Sequence, residues 1–300
     1  MPRPMKPHLV LPDWLLLERT MLEIVDLLEV ASQFDAFFID QFGVLLDGER
    51  PYPGAREALA ALSDLGKPIL LLSNSGKRGE ANARRLVQLG FARSLFQEVL
   101  SSGEVAHAQL ASAIGIHLPP KPKIWLHSRD GDLSAVENLP VELVQAPESA
   151  DLLLLAASNA DRISLDDYSH LLRSAADRNI PCWCTNPDIV MLTAHGPKPG
   201  AGRIAQEYGA IGGSVTLIGK PYPMIYQEAA RRLELKNPRV LCIGDSIEHD
   251  IAGGFTAGHK TCLVGSGIHA RSSIKDLELE ARESGVMFDY YITAFRLKEE

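Results

Sequence analysis

The sequence has no long apolar run and no cluster of basic residues. No stretch approaches the ~18 uninterrupted apolar residues of a membrane-spanning helix, and the N-terminal segment is broken by Pro12, Asp13 and Glu18 before it resembles a signal sequence. The net charge is −8, whereas nucleic acids and anionic membranes both require concentrated positive charge. We therefore expect a cytoplasmic protein that has neither a nucleic acid nor a membrane as partner.

Cysteine is also scarce, with four residues in 300. Cys182, Cys184, Cys242 and Cys262 fall in predicted strands and lack the C-x-x-C spacing of a metal site. We expect them to be small buried thiols without a chemical role. The composition, 46% hydrophobic and 23% charged, is that of an ordinary globular protein with one or two domains.

The chain does contain a regular alternation of short apolar runs and amphipathic segments. The predicted strands of this pattern span residues 35–40, 68–73, 215–220, 239–244, 260–264 and 290–294. Such alternation is typical of a parallel sheet with helical crossovers. A separate amphipathic helix is predicted ahead of it, over residues 13–31.

More than a hundred residues with strands and helices of their own separate the two alternating parts. A βαβ unit needs only ~30 residues, so this segment is best explained as an inserted domain. We predict an α/β protein with three parts, which are an N-terminal helical extension (1–34), a parallel-sheet catalytic core (35–102 and 196–300) and an inserted α/β cap domain (103–195). No residue pattern supports or excludes a homodimer.

Polar side chains stand at the ends of four of the predicted core strands, namely Asp40, Ser73, Lys220 and Asp245. Because the carboxyl ends of parallel strands share one edge of a sheet, we expect these side chains to lie close together. A hydroxyl and an ammonium group can hold a phosphoryl group, while carboxylates bind a hard cation that neutralises it, and Mg²⁺ is the natural choice. Asp40 would then be placed to attack phosphorus as a nucleophile.

These residues resemble the four ordered motifs of the haloacid-dehalogenase superfamily. The motifs are DQFGVL at residues 40–45, LLSN at 71–74, GKP at 219–221 and GDSIEHD at 244–250. The large insert, the SGE segment at 102–104 and TNPD at 185–188 resemble the class IIA phosphatase branch, which includes p-nitrophenylphosphatase-like and sugar or nucleotide phosphatases. The resemblance covers residues 35–295 and implies a Rossmann-like core with a cap of the C2 type.

The resemblance also implies a role for each matching residue. Asp40 would be the catalytic nucleophile and a metal ligand, with Asp245 and the backbone carbonyl of Phe42 as further Mg²⁺ ligands. The other implied roles are phosphate binding by Ser73, Asn74 and the catalytic Lys220, support of the metal ligands by Asp250, and a cap loop facing the substrate at Asn186 and Asp188. The implied reaction is Mg²⁺-dependent hydrolysis of a small phosphorylated metabolite, a sugar phosphate or nucleotide-like phosphomonoester, through an aspartyl phosphate.

One position departs from the family pattern. Two residues after the nucleophile, phosphatases of this family usually carry an aspartate that protonates the leaving group and then activates water, and here that position is Phe42. General acid–base catalysis is typically worth ~10²–10⁴ in rate, and a phenyl ring exchanges no proton. Two alternatives therefore stay open, a catalytically impaired protein that binds a phosphorylated metabolite and a phosphotransferase. Asp47 is considered as a substitute acid, although a turn-forming Asp-Gly is the favoured explanation.

Overall fold

The computed structural model describes residues 22–23, 27–193 and 196–298. In these ranges the strands are β1 (Leu22–Glu23), β2 (Ala36–Asp40), β3 (Ile69–Ser73), β4 (Glu98–Ser101), β5 (Lys123–His127), β6 (Glu142–Leu143), β7 (Leu152–Leu155), β8 (Cys182–Cys184), β9 (Val190–Thr193), β10 (Gly196–Pro199), β11 (Val215–Leu217), β12 (Val240–Gly244), β13 (Lys260–Val264) and β14 (Tyr290–Ile292). The α-helices are α1 (Leu27–Ala31), α2 (Ala55–Ser63), α3 (Gly79–Gln88), α4 (Ser102–Ala113), α5 (Leu165–Asp177), α6 (Ala201–Ala210), α7 (Pro223–Leu233), α8 (Ala252–Thr256) and α9 (Ile274–Glu283). A π-helical turn, Ile247–Ile251, precedes α8.

The larger sheet positions three of the predicted site residues. Its strand order among the described residues is β1-β14-β13-β12-β2-β3-β4, and the pairs from β1 to β3 are parallel. The central strands are apolar and almost fully buried, as expected for a sheet covered on both faces. Because β2 lies between β12 and β3, Asp40, Ser73 and Asp245 end or follow three adjacent strands, as predicted.

The second sheet contains a strand that the sequence pattern assigned wrongly. Its order is β11-β8-β7-β5-β6, with every neighbouring pair parallel, and β9 and β10 form a separate antiparallel hairpin. Strand β11, predicted at residues 215–220 as part of the core, pairs with β8 and not with the larger sheet. Lys220 therefore follows a strand of the second sheet. A short apolar run carries no mark of which parallel sheet it will join.

The helix predicted over residues 13–31 is present only in part. Residues 13–21 and 24–26 lie outside the described residues, and α1 is the described helical portion. At Leu22–Glu23 the prediction is wrong, because these two residues form β1 and pair in parallel with β14. Pairing with the edge of an existing sheet outweighs the helical spacing of apolar residues at this position.

The described residues divide into two compact units. The first comprises the described residues up to Leu72, residues 83–99 and residues from Tyr226 onward, and the second comprises residues 73–82 and 100–225. Each unit has apolar clusters of its own. The cap boundaries at residues 103 and 195 stay a prediction, and the pairing of β11 with β8 favours a return to the core after residue 220.

Helix starts in both units follow from local capping. In α4 the Ser101 hydroxyl accepts a hydrogen bond from the Glu104 amide at 3.0 Å, and α5 and α9 begin with reciprocal capping boxes at Ser164 and Ser273. Within the described ranges, no helix is both long and apolar enough to span a membrane.

The four cysteines are buried and free, which confirms their expected burial. Burial raises the pKa of the Cys184 thiol to about 12. A thiol with this pKa stays protonated at neutral pH and is a poor nucleophile or metal ligand.

Candidate active site

Three carboxylates converge at the carboxyl edge of the larger sheet. Asp40 is the last residue of β2, Asp245 follows β12, and Asp250 lies in the π-helical turn. Each offers an oxygen, and these oxygens all lie within 4.8 Å of one another. Asp245 and Asp250 are only 5% and 4% exposed. Because carboxylates buried this close together repel each other, the cluster is suited to a hard divalent cation with oxygen ligands, such as Mg²⁺.

The backbone around Asp245 is packed closely against its carboxylate. The Ile268 amide donates a hydrogen bond to Asp245 Oδ2 at 2.9 Å. Gly43 has a φ of +83°, and a Cβ atom at this position would overlap the Asp245 carboxylate. The Ser266 hydroxyl in turn donates to the Gly43 carbonyl at 2.6 Å. The loop after β2 therefore requires glycine at position 43, both for its conformation and for the space that Asp245 occupies.

Asp250 also holds the turn that follows β12. One of its oxygens accepts a hydrogen bond from the Ser246 amide at 3.1 Å, and a Cβ atom at Gly244 would overlap its side chain. This contact fits the supporting position expected for Asp250, although the residue also offers an oxygen to the acidic cluster.

A second group of predicted site residues is joined by the side chain of Asn74. Its Nδ2 donates to the Lys220 carbonyl at 3.0 Å and to Asp188 Oδ1 at 2.8 Å, while its Oδ1 accepts from the Lys220 amide at 2.7 Å. Lys220 is 3% exposed and is joined to Pro221 by a cis peptide bond. Asn74 thus connects the backbone at Lys220 with an acid of the TNPD segment.

The structure adds Ser102 and Gly219 to this group, and gives Asn186 a local role. The Ser102 hydroxyl donates to the Ser73 carbonyl at 3.1 Å, and a Cβ atom at Gly219 would collide with Ser102 and Asn74. Ser102 belongs to the SGE segment and Gly219 to the GKP motif, but the sequence predicted no role for either residue. Motif spacing alone does not reveal which side chains pack together. Asn186 Oδ1 accepts from the Asp188 amide at 3.2 Å, which is an ordinary turn contact within the loop.

Comparison with known proteins identifies the family. A family model described as haloacid dehalogenase-like hydrolase matches residues 37–142, and a second, described as HAD-hydrolase-like, matches residues 217–289. Sugar-phosphatase AraL of Bacillus subtilis is 30% identical over 232 residues, which cover 76% of this chain and 82% of that protein. The chain belongs to the haloacid-dehalogenase-like hydrolases.

Further comparisons confirm the branch of this family and the fold. Rat chronophin is 29% identical to this hydrolase over 282 residues, which cover 88% of this chain and 86% of chronophin. The p-nitrophenyl phosphatase from Archaeoglobus fulgidus superposes with a TM-score of 0.69 at 26% identity, and the match covers 88% of this chain and 97% of that one. The predicted class IIA phosphatase branch and the α/β core-and-cap fold are therefore confirmed, and this hydrolase is a phosphatase of that branch.

In this hydrolase, an exposed aromatic side chain stands two residues after Asp40. Phe42 is 40% exposed, and the guanidinium carbon of Arg85 lies 5.2 Å from the centre of its ring, within the range of a cation–π contact. Arg85 also donates a hydrogen bond to the carbonyl of Gly48. The residue at the position of the usual aspartate is therefore in contact with a cation.

Asp47 does not have the environment of a substitute acid. Its Oδ1 accepts hydrogen bonds from the amides of Glu49 and Arg50, both at 2.8 Å. These bonds lower the pKa of the Asp47 carboxyl group, whereas a general acid at neutral pH needs a raised pKa. The contacts favour the turn-forming explanation.

Proposed function

We propose that this hydrolase is a Mg²⁺-dependent phosphatase of small phosphomonoesters in which Asp40 is the nucleophile. The observation that carries the proposal is the convergence of Asp40 with Asp245 and Asp250 at one edge of the sheet. Asp40, Asp245 and the backbone carbonyl of Phe42 would hold the ion, which would offset the charge of the phosphate when bound. Asp250 would keep the turn after β12 in place.

The contacts around Asn74 support the proposed phosphate-binding roles. The Asn74 side chain forms hydrogen bonds with the backbone amide and carbonyl of Lys220. It therefore restricts the position of the backbone from which the Lys220 side chain extends. Lys220 would stabilise negative charge on the phosphoryl oxygens, and the hydroxyl of Ser73, at the end of β3, would donate a hydrogen bond to one of them. Asp188 would lie on the loop that contacts the substrate, with Asn186 shaping that loop.

The proposed chemistry has two steps on Asp40. A carboxylate oxygen of Asp40 attacks phosphorus while the bond between phosphorus and the leaving oxygen breaks, and this gives an aspartyl phosphate and an alcohol or its anion. Water then attacks the same phosphorus, releases inorganic phosphate and restores the carboxylate. Because Phe42 transfers no proton, we expect leaving groups that are stable as anions to react fastest.

The substrate class that we propose is a sugar phosphate or a nucleotide-like phosphomonoester. It is supported by the relatives that are named as a sugar phosphatase and as a 5′-nucleotidase. Phe42 favours a second candidate, transfer of the phosphoryl group to an alcohol, because a weak hydrolytic step would lengthen the life of the aspartyl phosphate.

The first experiment is a time course of p-nitrophenol release from p-nitrophenyl phosphate, with Mg²⁺ and with a chelator. We expect steady Mg²⁺-dependent release by the native protein and a loss of at least about 10³-fold in Asp40→Asn, because the nucleophile is removed. Asp47→Asn is the matched control and should retain turnover within about twofold.

Release that stops near one equivalent of enzyme would contradict hydrolysis. Added glycerol would then identify a transferase if turnover resumes and glycerol phosphate accumulates. No release at all, with phosphate ester still bound, would support the impaired binding protein.

A further inference from the structure

The loop after β2 lies against the guanidinium group of Arg85. Arg85 is exposed near the end of α3, where it donates a hydrogen bond to the Gly48 carbonyl and lies against the Phe42 ring. Among the described residues, Arg85 forms no ion pair with a carboxylate. Other arginines do form such pairs, as Arg78 does with Glu104 at 2.7 Å. The nearby Asp47 carboxylate is instead bonded to backbone amides.

The side chain of Phe42 presents an apolar surface beside this cation. The ring is 40% exposed although Phe is usually buried, and it belongs to the residue two positions after the proposed nucleophile. Gly48 packs on its edge, since a Cβ atom at this glycine would lie 4.0 Å from Phe42 Cε1. The apolar ring of Phe42, on the loop after β2, and the planar cation of Arg85, on α3, are therefore side by side.

We infer that Phe42 and Arg85 form a subsite for the leaving group of the substrate, in which Arg85 binds an anionic group of that leaving group. This inference rests on the proposed function and narrows its substrate class to phosphomonoesters with a second negative charge, a carboxylate or a second phosphate. A guanidinium binds either anion through paired N–H donors, and the ring restricts its orientation. The Gly48 carbonyl occupies part of its donor capacity and leaves the remaining N–H groups for the ligand.

The test compares pairs of phosphomonoesters in which only one member carries a second anionic group. Glycerol 3-phosphate is paired with 3-phosphoglycerate, and propyl phosphate with propane-1,3-diyl bisphosphate, so that the two pairs distinguish a carboxylate from a phosphate. The proteins are the native chain, Arg85→Met, Arg85→Lys and the neighbouring Arg84→Met, which removes the same charge from the same helix. Melting temperatures establish that each variant is folded.

We expect the native protein to prefer the charged member of at least one pair by about tenfold or more in kcat/KM. Arg85→Met should remove most of that preference, Arg85→Lys should keep part of it, and Arg84→Met should keep all of it. Absence of a preference in the native protein, or an equal loss for both members of a pair in Arg85→Met, would overturn the inference.

A binding measurement separates this inference from the proposed function. Calorimetric titration of the four esters into Asp40→Asn, with and without Arg85→Met, reports the subsite without turnover. Tighter binding of a charged ester that depends on Arg85 supports the subsite even if p-nitrophenyl phosphate is not hydrolysed. Equal affinities with and without Arg85 overturn the subsite even if hydrolysis is established.

Discussion

Gly43 illustrates how single residues shape the candidate metal site. Its φ of +83° lies in the left-handed region, and any side chain there would overlap the Asp245 carboxylate. Gly66 has a similar φ of +68°, but no atom lies within 4 Å of an added Cβ. A side chain at Gly66 would therefore cause backbone strain alone, whereas one at Gly43 would also overlap a proposed metal ligand.

Replacement of each glycine by alanine tests this distinction. We expect Gly66→Ala to lower the free energy of unfolding by about 1 kcal/mol through its positive φ alone. Gly43→Ala should lower it further and weaken Mg²⁺ binding about tenfold or more, because Asp245 must move. Urea unfolding and Mg²⁺ titration of both variants provide the check, and equal effects in the two would contradict the proposed packing.

At the scale of elements, an ion-pair network joins α7 to β4. Glu228 accepts hydrogen bonds from Arg231 and Arg232, and Arg232 also pairs with Glu98 of β4. The bonds from Arg231, followed by those from Arg232, lower the pKa of Glu228 to about 2. These ion pairs connect helix α7 to β4 at the edge of the larger sheet.

The network predicts a pH dependence of stability. The pKa of Glu228 is lowered on folding. The charged carboxylate therefore makes its full contribution to the free energy of unfolding above the ordinary glutamate pKa near 4.5, and this contribution is lost as the pH falls toward about 2. We expect Glu228→Gln to cost about 1 kcal/mol at pH 6, after allowance for solvent screening at the exposed Arg231. The difference in stability between Glu228→Gln and the native protein should be smaller at pH 3.

Urea midpoints at the two pH values measure this change. Glu280→Gln, at an exposed position of α9, is the control and should have little effect at either pH. A deficit in Glu228→Gln that stays constant between pH 6 and pH 3 would contradict the role of the charge.

At the scale of the whole molecule, a bound cation should stabilise the fold, because the acidic cluster forms only when β2 and β12 are paired. A ligand that binds only the folded state stabilises it by mass action, by about 2.7 kcal/mol at a concentration 100 times its Kd. For a chain of this length that corresponds to a rise in Tm of roughly 5 °C.

Metal removal tests this linkage. We expect Mg²⁺ to raise the Tm of the native protein by several degrees and a chelator to reverse the rise. Asp245→Asn should show little Mg²⁺ response, and in chelator it should melt no lower than the native protein, since one repelling charge is gone. An equal Mg²⁺ response in Asp245→Asn would exclude this cluster as the site of stabilisation.

The local features of this protein could be predicted from its amino-acid sequence. Apolar runs bounded by turn residues predicted β2, β3 and β12, and therefore the positions of Asp40, Ser73 and Asp245 at strand ends. It also revealed Phe42 in place of the usual acid. These features depend on residues adjacent in the chain, so periodicity and motif spacing are sufficient to find them.

The contacts between distant segments could not be predicted in this way and are seen only in the folded protein. The pairing of β11 with β8 placed Lys220 after the second sheet, the hydrogen bonds of Asn74 joined Lys220 to Asp188, and α3 brought Arg85 against Phe42. Each of these contacts links residues far apart in the chain. Their formation depends on backbone pairing and side-chain packing over the whole fold, which no local pattern encodes.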